Sequence, residues 1–211
     1  MTTVRRFLIL AGLVVSNAVV AGVYDDMLTA INLQDVGMVR DLLQRGVDVN
    51  TTDSSGDSLL MLAARNGDLP TIELLLRNNA NLLIKNRYGD TALMLAALRG
   101  HLKAVVTLAS AGAEIDPKGW TPLAYAAFEG HTEVVRYLLT LKVNIDAQAG
   151  NGMTALMAGS RGGHLEIVRQ LLERAAKTGL LNQDGKTALD LAQAGNHGEI
   201  AGLLEKAGKP E

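Results

Sequence analysis

Four histidines, His101, His131, His164 and His197, follow one another at intervals of 30, 33 and 33 residues. Imidazole is the commonest metal ligand and the side chain that titrates nearest neutral pH, so a ladder of this kind invites a metal-binding reading. The interval argues against it. Helices stacked at such a period lie about 8–10 Å apart, whereas zinc holds each imidazole nitrogen at about 2.1 Å. Successive rings then cannot easily share an ion, and they read instead as the turn residue of a recurring Gly-His pair. Asp25, Asp26, Glu129, Glu133 and Glu166 offer carboxylates for acid–base work, but Glu133 and Glu166 occupy matching places one period apart, as residues on a solvated helix face do. No nucleophile–base pair and no phosphate-cradling glycine loop accompanies them. Ser58 lies in the serine- and glycine-rich stretch 53–60, where it is better explained as a helix start. With no cysteine there is no thiol nucleophile, disulfide or thiolate metal site. The expectation is no catalytic, cofactor-binding or metal site, and no enzyme.

The histidine interval is one trace of a wider period. Residues 120–139, WTPLAYAAFEGHTEVVRYLL, form a unit: a Thr-Pro opening, a short apolar helix, a Gly-His turn and a second apolar helix. Related units occupy 57–76, 90–109, 153–172 and, in degraded form, 186–204. The opening hydroxyls Ser58, Thr91, Thr121, Thr154 and Thr187 are spaced 33, 30, 33 and 33. Residues 24–46 keep the two helices without the opening, as a capping unit does. A fixed period in this range specifies stacked repeats that touch only their neighbours. Six units are expected, about 24–56, 57–89, 90–119, 120–152, 153–185 and 186–208. Apolar residues make up 48% of the chain and aromatic ones 3%, so the core is built from Leu, Ala, Val, Ile and Met.

Charge and the N-terminus bound the setting. A net charge of −2 lacks the clustered basic surface that nucleic acid requires. Residues 1–21 have the layout of a secretory leader: Arg5 and Arg6, the apolar run 7–20, and the small pair Val19 and Ala21 before a cut. Cleavage is expected after Ala21, with export to a periplasm; secretion, or retention by an uncleaved anchor, is the alternative. A run of 14 is short of the ~20 residues that span a bilayer. Loss of the two arginines leaves 18 basic against 22 acidic residues, a mature charge of −4.

Within one period the chain combines Gly-x-Thr-x-Leu, Ala-Ala, Gly-His, Val-x-x-Leu-Leu and Gly-Ala, with GWTPLAYAAFEGH as the cleanest copy. Over residues 24–204 it resembles the ankyrin-repeat family. The resemblance implies an all-α solenoid of stacked helix-turn-helix units joined by hairpin-like loops, of the kind found in exported bacterial proteins. It further implies a protein partner held along the hairpin tips and the adjoining face of the first helices. The second reading is an exported stress-response factor that handles a metal or small ligand. Departures from the family pattern are informative. The family's helix-opening His is replaced by Met61, Met94, Ala124, Met157 or Asp190, which predicts flexible apolar filling in place of a buried hydrogen bond. Asn79, Lys142 and Ala175 stand where Gly46 and Gly112 close other units, so a left-handed residue is expected at each. Residues 113–118 belong to a loop three residues shorter than its neighbours, which predicts a notch in the hairpin row.

Residues that vary between copies on the expected binding face are Arg65, Asn66, Arg87, Tyr88, Asp90, Leu98, Arg99, Lys118, Trp120, Phe128, Glu129, Asn151, Met153 and Arg161. Trp120 is the single tryptophan, and Phe128 is the single phenylalanine once Phe7 is removed. Aromatic rings beside arginine are the composition of interface anchors. A monomer with one protein partner and no cofactor is the expectation.

Overall fold

A computed structural model describes residues 17–208, with side-chain placement from residue 22 onward. Most of the expected leader therefore lies outside the described residues. Twelve helices in six antiparallel pairs make up the described residues: α1 (Asn17–Asn32), α2 (Val36–Gln44), α3 (Leu59–Asn66), α4 (Leu69–Arg77), α5 (Ala92–Leu98), α6 (Leu102–Ser110), α7 (Pro122–Glu129), α8 (Thr132–Leu138), α9 (Ala155–Gly162), α10 (Leu165–Glu173), α11 (Ala188–Ala194) and α12 (Gly198–Ala207). The first helices, α1, α3, α5, α7, α9 and α11, stack in one layer, and the second helices stack in another. The fold is the expected all-α solenoid. Among the described residues no helix is long and apolar enough to cross a membrane.

Most of these helices are too short to persist alone in water, so packing must hold them. The sequence supplies it by making the first helices apolar all round. In α5 the six residues from Ala92 to Ala97 are all buried, since α3 covers one flank and α7 the other. Alanine at Ala63, Ala96 and Ala126 lets neighbouring backbones approach. Each second helix buries one stripe; in α8 it is Val134, Val135 and Leu138. Starts are chemically marked: the Ser58, Thr91, Thr121, Thr154 and Thr187 hydroxyls each accept the backbone N–H three residues on.

Two expectations need correction. The methionines in the His place are not inert filling everywhere. Met61 Sδ accepts the N–H of Ser58 at 3.4 Å, and Met94 Sδ that of Thr91 at 3.1 Å, so the thioether closes a reciprocal cap as a weak acceptor. Asp190 makes the charged version, its carboxylate receiving both the N–H and the hydroxyl of Thr187 at 2.7 Å. Lys142 is not left-handed, whereas Asn79 (φ 61°) and Ala175 (φ 58°) are. The α8 helix stops at Leu138, and the chain leaves through a run of turns, with Thr140 Oγ1 bonded to the Tyr137 carbonyl at 2.6 Å. That exit makes a left-handed closing residue unnecessary.

Candidate partner-binding face

The histidines sit at the N-cap positions of α6, α8, α10 and α12 but make no capping bond. Each ring reaches backwards instead. Nε2 of His101 donates to the carbonyl of Arg65 at 3.1 Å, His131 to Leu98 at 2.9 Å, His164 to Phe128 at 3.0 Å and His197 to Arg161 at 3.2 Å. A carbonyl can only accept, so the proton is on Nε2. The ring lies across the turn glycine of the preceding unit: a Cβ built on Gly130 would stand 2.6 Å from Cε1 of His164. The Gly-His ladder is therefore a set of struts between repeats, with one nitrogen of each ring already engaged. In the two leading units Asp35 and Asp68 take the same place and cap their own helices. There the unit boundary is bridged instead by Gln34 Nε2 to the Asn66 carbonyl at 3.4 Å.

The residue just before each opening hydroxyl points onto the first-helix face, and its environment differs from unit to unit. Asp57 is buried, with one oxygen on Arg65 and the other on Asn86 Nδ2, both at 2.7 Å. Asp90 is 7% exposed and accepts the Tyr125 hydroxyl at 2.7 Å. Met153 is 4% exposed. Two of the expected contact residues, Asp90 and Met153, thus lie inside the array and support the surface rather than form it. Arg65 is largely engaged by Asp57. Trp120 takes the corresponding place at the start of α7. It is half-buried and folds down its own helix, stacked on Tyr125 (centroids 5.1 Å apart, planes at 27°) and edge-on to Phe128 (5.9 Å, 81°). Offset and edge-to-face geometries are those aromatic pairs favour.

Tyr125 is a site residue that sequence reasoning missed. It occupies an inward helix position filled by Leu62 and Leu95 in earlier units, so its type gave no surface signal. Burial, then the hydrogen bond to Asp90, hold its phenol well above the usual range, so it remains a donor at any physiological pH. It ties the aromatic cluster of α7 to the unit before it.

Hairpin tips form a second row of links. Arg87 N–H donates to the Ser55 carbonyl at 3.2 Å, joining the tips of loops 45–58 and 78–91. Gln183 N–H donates to the Asn151 carbonyl at 3.0 Å, joining loops 139–154 and 174–187. Among the described residues the loop 111–121 between them makes no matching link: it is three residues shorter, and the donor position four residues before Thr121 is Pro117, which has no N–H. Lower down, side chains still bridge: Asn81 N–H to Asn50, Asn144 N–H to Asp116 and Lys177 N–H to Asp146, at 2.7, 2.8 and 2.9 Å. The equivalent place between loops 78–91 and 111–121 holds Leu83, which is 63% exposed, and a Lys85–Glu114 ion pair at 3.7 Å stands nearby. Among the described residues the row of tip-to-tip backbone bonds is thus interrupted at the shortened loop, where the notch is expected, and Trp120 follows that loop at the start of α7.

The other candidates fall as follows. Tyr88, on the tip before the notch, is 83% exposed, and Phe128 is 39% exposed. Arg87, Arg99, Lys118, Glu129, Asn151 and Arg161 are exposed, while Leu98 and Asn66 are half-buried. Leu98, Phe128 and Arg161 hold one register position on α5, α7 and α9, so they line up across the array. Tyr88 makes no ring-to-ring contact with the Trp120 cluster among the described residues. Among the described residues, no group of three or more His, Asp or Glu side chains converges on a point an ion could occupy.

Known proteins with this arrangement are repeat proteins. The family described as "Ankyrin repeats (3 copies)" matches residues 27–118, and "Ankyrin repeats (many copies)" matches residues 123–172. Ankyrin repeat and SAM domain-containing protein 6 of Rattus norvegicus is 34% identical over 131 residues, 62% of this chain and 12% of that protein. A transient receptor potential cation channel subfamily A member 1 homolog of Caenorhabditis elegans is 34% identical over 122 residues, 56% of this chain and 10% of that protein. The chain thus spans only a small part of the curated relatives it matches. Among solved structures, a chain of the complex between the Bd0816 predatory endopeptidase of Bdellovibrio bacteriovorus and its immunity protein Bd3460 superposes with a TM-score of 0.77 and 30% identity, covering 86% of this chain and 97% of that one. On the repeat period, the two-layer stack and these matches together, the chain belongs to the ankyrin-repeat family.

Proposed function

We propose that this chain is a non-enzymatic, exported binding module that grips a partner protein around the notch at 111–121 and thereby restrains that partner's activity. The observation that carries the reading is the aromatic cluster at the notch. Phe128 is 39% exposed at its edge, and Tyr88 on the neighbouring tip is 83% exposed. Rings grouped on a surface beside arginines are the anchors from which protein interfaces are built. The solved complex supports the class of partner. The matched chain aligns over 97% of its length with a helical array, which leaves no room in it for a peptidase fold, so it is the immunity component of that pair. By that likeness the partner here is an exported endopeptidase whose action the chain holds off. The leader at 1–21 supports export. Its removal after Ala21 leaves α1 with Met27, Ala30 and Ile31, the residues that bury it. One copy presents the whole face, so the chain acts as a monomer.

The test is capture from the envelope fraction of the native host by the immobilised chain and by the double variant Trp120→Ala/Phe128→Ala. Endopeptidase activity of the captured protein is measured with and without the free chain. The expected result is specific capture and inhibition by the native chain, both lost in a variant of unchanged helical signal. A folded variant that still captures the partner moves the interface elsewhere, and an unfolded one makes the rings part of the core. Captured activity that the free chain leaves unaltered removes the restraining role. Export is checked by N-terminal sequencing of periplasmic protein, which should begin at Gly22; a start at Met1 overturns it.

A further inference from the structure

On the basis of that binding reading, we infer that the notch receives a projecting acidic loop of the partner, which seats where the missing hairpin tip would stand and lays one apolar side chain against Trp120. Three observations converge. The first is the backbone. Neighbouring tips join by an N–H of the later loop and a carbonyl of the earlier one, as Arg87 does with Ser55 and Gln183 with Asn151. On the two sides of the notch the same positions are the N–H of Gly150 and the carbonyl of Tyr88. Both residues are exposed, and among the described residues neither group has a hydrogen-bond partner. A loop entering the gap brings one acceptor and one donor to the place where the repeat geometry has left one of each.

The second observation is apolar surface at the inner end. Trp120 is half-buried with its ring fixed by Tyr125 and Phe128, so it presents a face whose orientation is already set. A preordered ring costs little conformational entropy on binding.

The third is charge. Over the whole chain acidic residues outnumber basic ones, 22 to 20. Around the notch the balance inverts: Lys85, Arg87, Arg99, Lys118 and Arg161 are exposed, against Glu114, Asp116 and Glu129, and Glu114 is paired with Lys85. Potentials across an interface are complementary, so the loop that fits is acidic around its apolar residue.

The experiment is selection of disulfide-closed random peptides displayed on phage against the purified chain. Affinities of the enriched peptides are then measured at low and high salt. Expected are peptides with Asp or Glu flanking one aromatic or branched apolar residue, binding more weakly as salt rises. They should lose about tenfold or more in affinity on Arg87→Glu/Arg161→Glu, and equally on insertion after Lys118 of a copy of the three residues Asn86, Arg87 and Tyr88, which rebuilds the tip. Circular dichroism melts confirm that each variant is folded. Enrichment of neutral or basic peptides, full binding by the tip-insertion variant, or no enrichment at all overturns the inference. A single-stranded DNA oligonucleotide that binds and is lost on the arginine changes also overturns it, in favour of a nucleic-acid surface. The two readings fail separately. Peptides of any charge that depend on Trp120 and Phe128 keep the binding face and remove only the acidic loop. Peptides indifferent to both rings remove the binding face itself.

Discussion

Replacing Gly100 by Ala should destabilise the array far more than the same change at Gly112. Both glycines are left-handed, with φ of +72° and +92°. An alanine in that region costs about 1–2 kcal/mol from the clash of Cβ with the following carbonyl oxygen. At Gly112 nothing lies within 4 Å of the added carbon, so the cost ends there. At Gly100 the added carbon stands 2.7 Å from Cε1 of His131, and Nδ1 and Cγ of the same ring are also inside contact. The imidazole must swing away. In doing so it gives up its bond to the Leu98 carbonyl at 2.9 Å, a loss of about 0.5–1.5 kcal/mol, together with its packing on the glycine. The predicted total is about 2–4 kcal/mol at Gly100, compared with about 1–2 at Gly112. Urea denaturation followed by far-ultraviolet circular dichroism measures both. A double-mutant cycle with His131→Ala isolates the ring, because removing the imidazole first should return the Gly100→Ala cost to that of Gly112→Ala. Equal costs at the two glycines in the native background, within about half a kcal/mol, would refute the strut.

Leu138→Ala should cost about 2–5 kcal/mol in the same melts, since the side chain is fully buried between α8 and its neighbours; under half a kcal/mol would mean the stripe is misassigned. Ala175→Gly should stabilise by up to about 1 kcal/mol, because Ala175 is left-handed and its side chain is exposed, so relief of strain exceeds the packing lost. Bonds from the Thr187 N–H and hydroxyl hold the Asp190 carboxyl below its ordinary range. A group whose pKa is depressed on folding contributes above its unfolded pKa and loses that contribution as pH falls through the folded value. Protection factors of the α11 amides, taken relative to the intrinsic exchange rate at each pH, should therefore fall as pH drops below about 4, and Asp190→Asn should abolish that component; equal acid sensitivity in the variant would show that the cap does not titrate.

What could be read from the sequence follows a physical division. The unit boundaries follow from hydroxyls that must start helices and apolar stripes that must be covered. Both are local demands, visible within one period. The notch was visible by subtraction, as three residues fewer before Trp120. Contacts that bind one unit to another were not visible. The Leu98 carbonyl that receives His131 is 33 residues away, and nothing in the type of Leu98 marks its backbone as an acceptor. Asp90 and Met153 vary between copies as contact residues do, yet both turn inward, because that position can face either way according to what residues further along the chain offer it. Tyr125 offers Asp90 a hydroxyl, and Asn182 Nδ2 approaches Met153 Sδ at 3.8 Å. Variation between copies therefore reports a difference in environment, which is only sometimes a difference in exposure.

The Gly-His pair also bears on how such a chain can lengthen. A unit carrying both residues offers a bare glycine to the ring of its successor and sends its own ring to its predecessor. A duplicated copy of 90–119 or 120–152 inserted beside its parent finds a seat already cut for it and provides the same seat in turn. The leading units, with Asp35 and Asp68 at the ring position, have no such reciprocity towards the unit before them. An added unit is thereby seated most readily between units that carry the Gly-His pair.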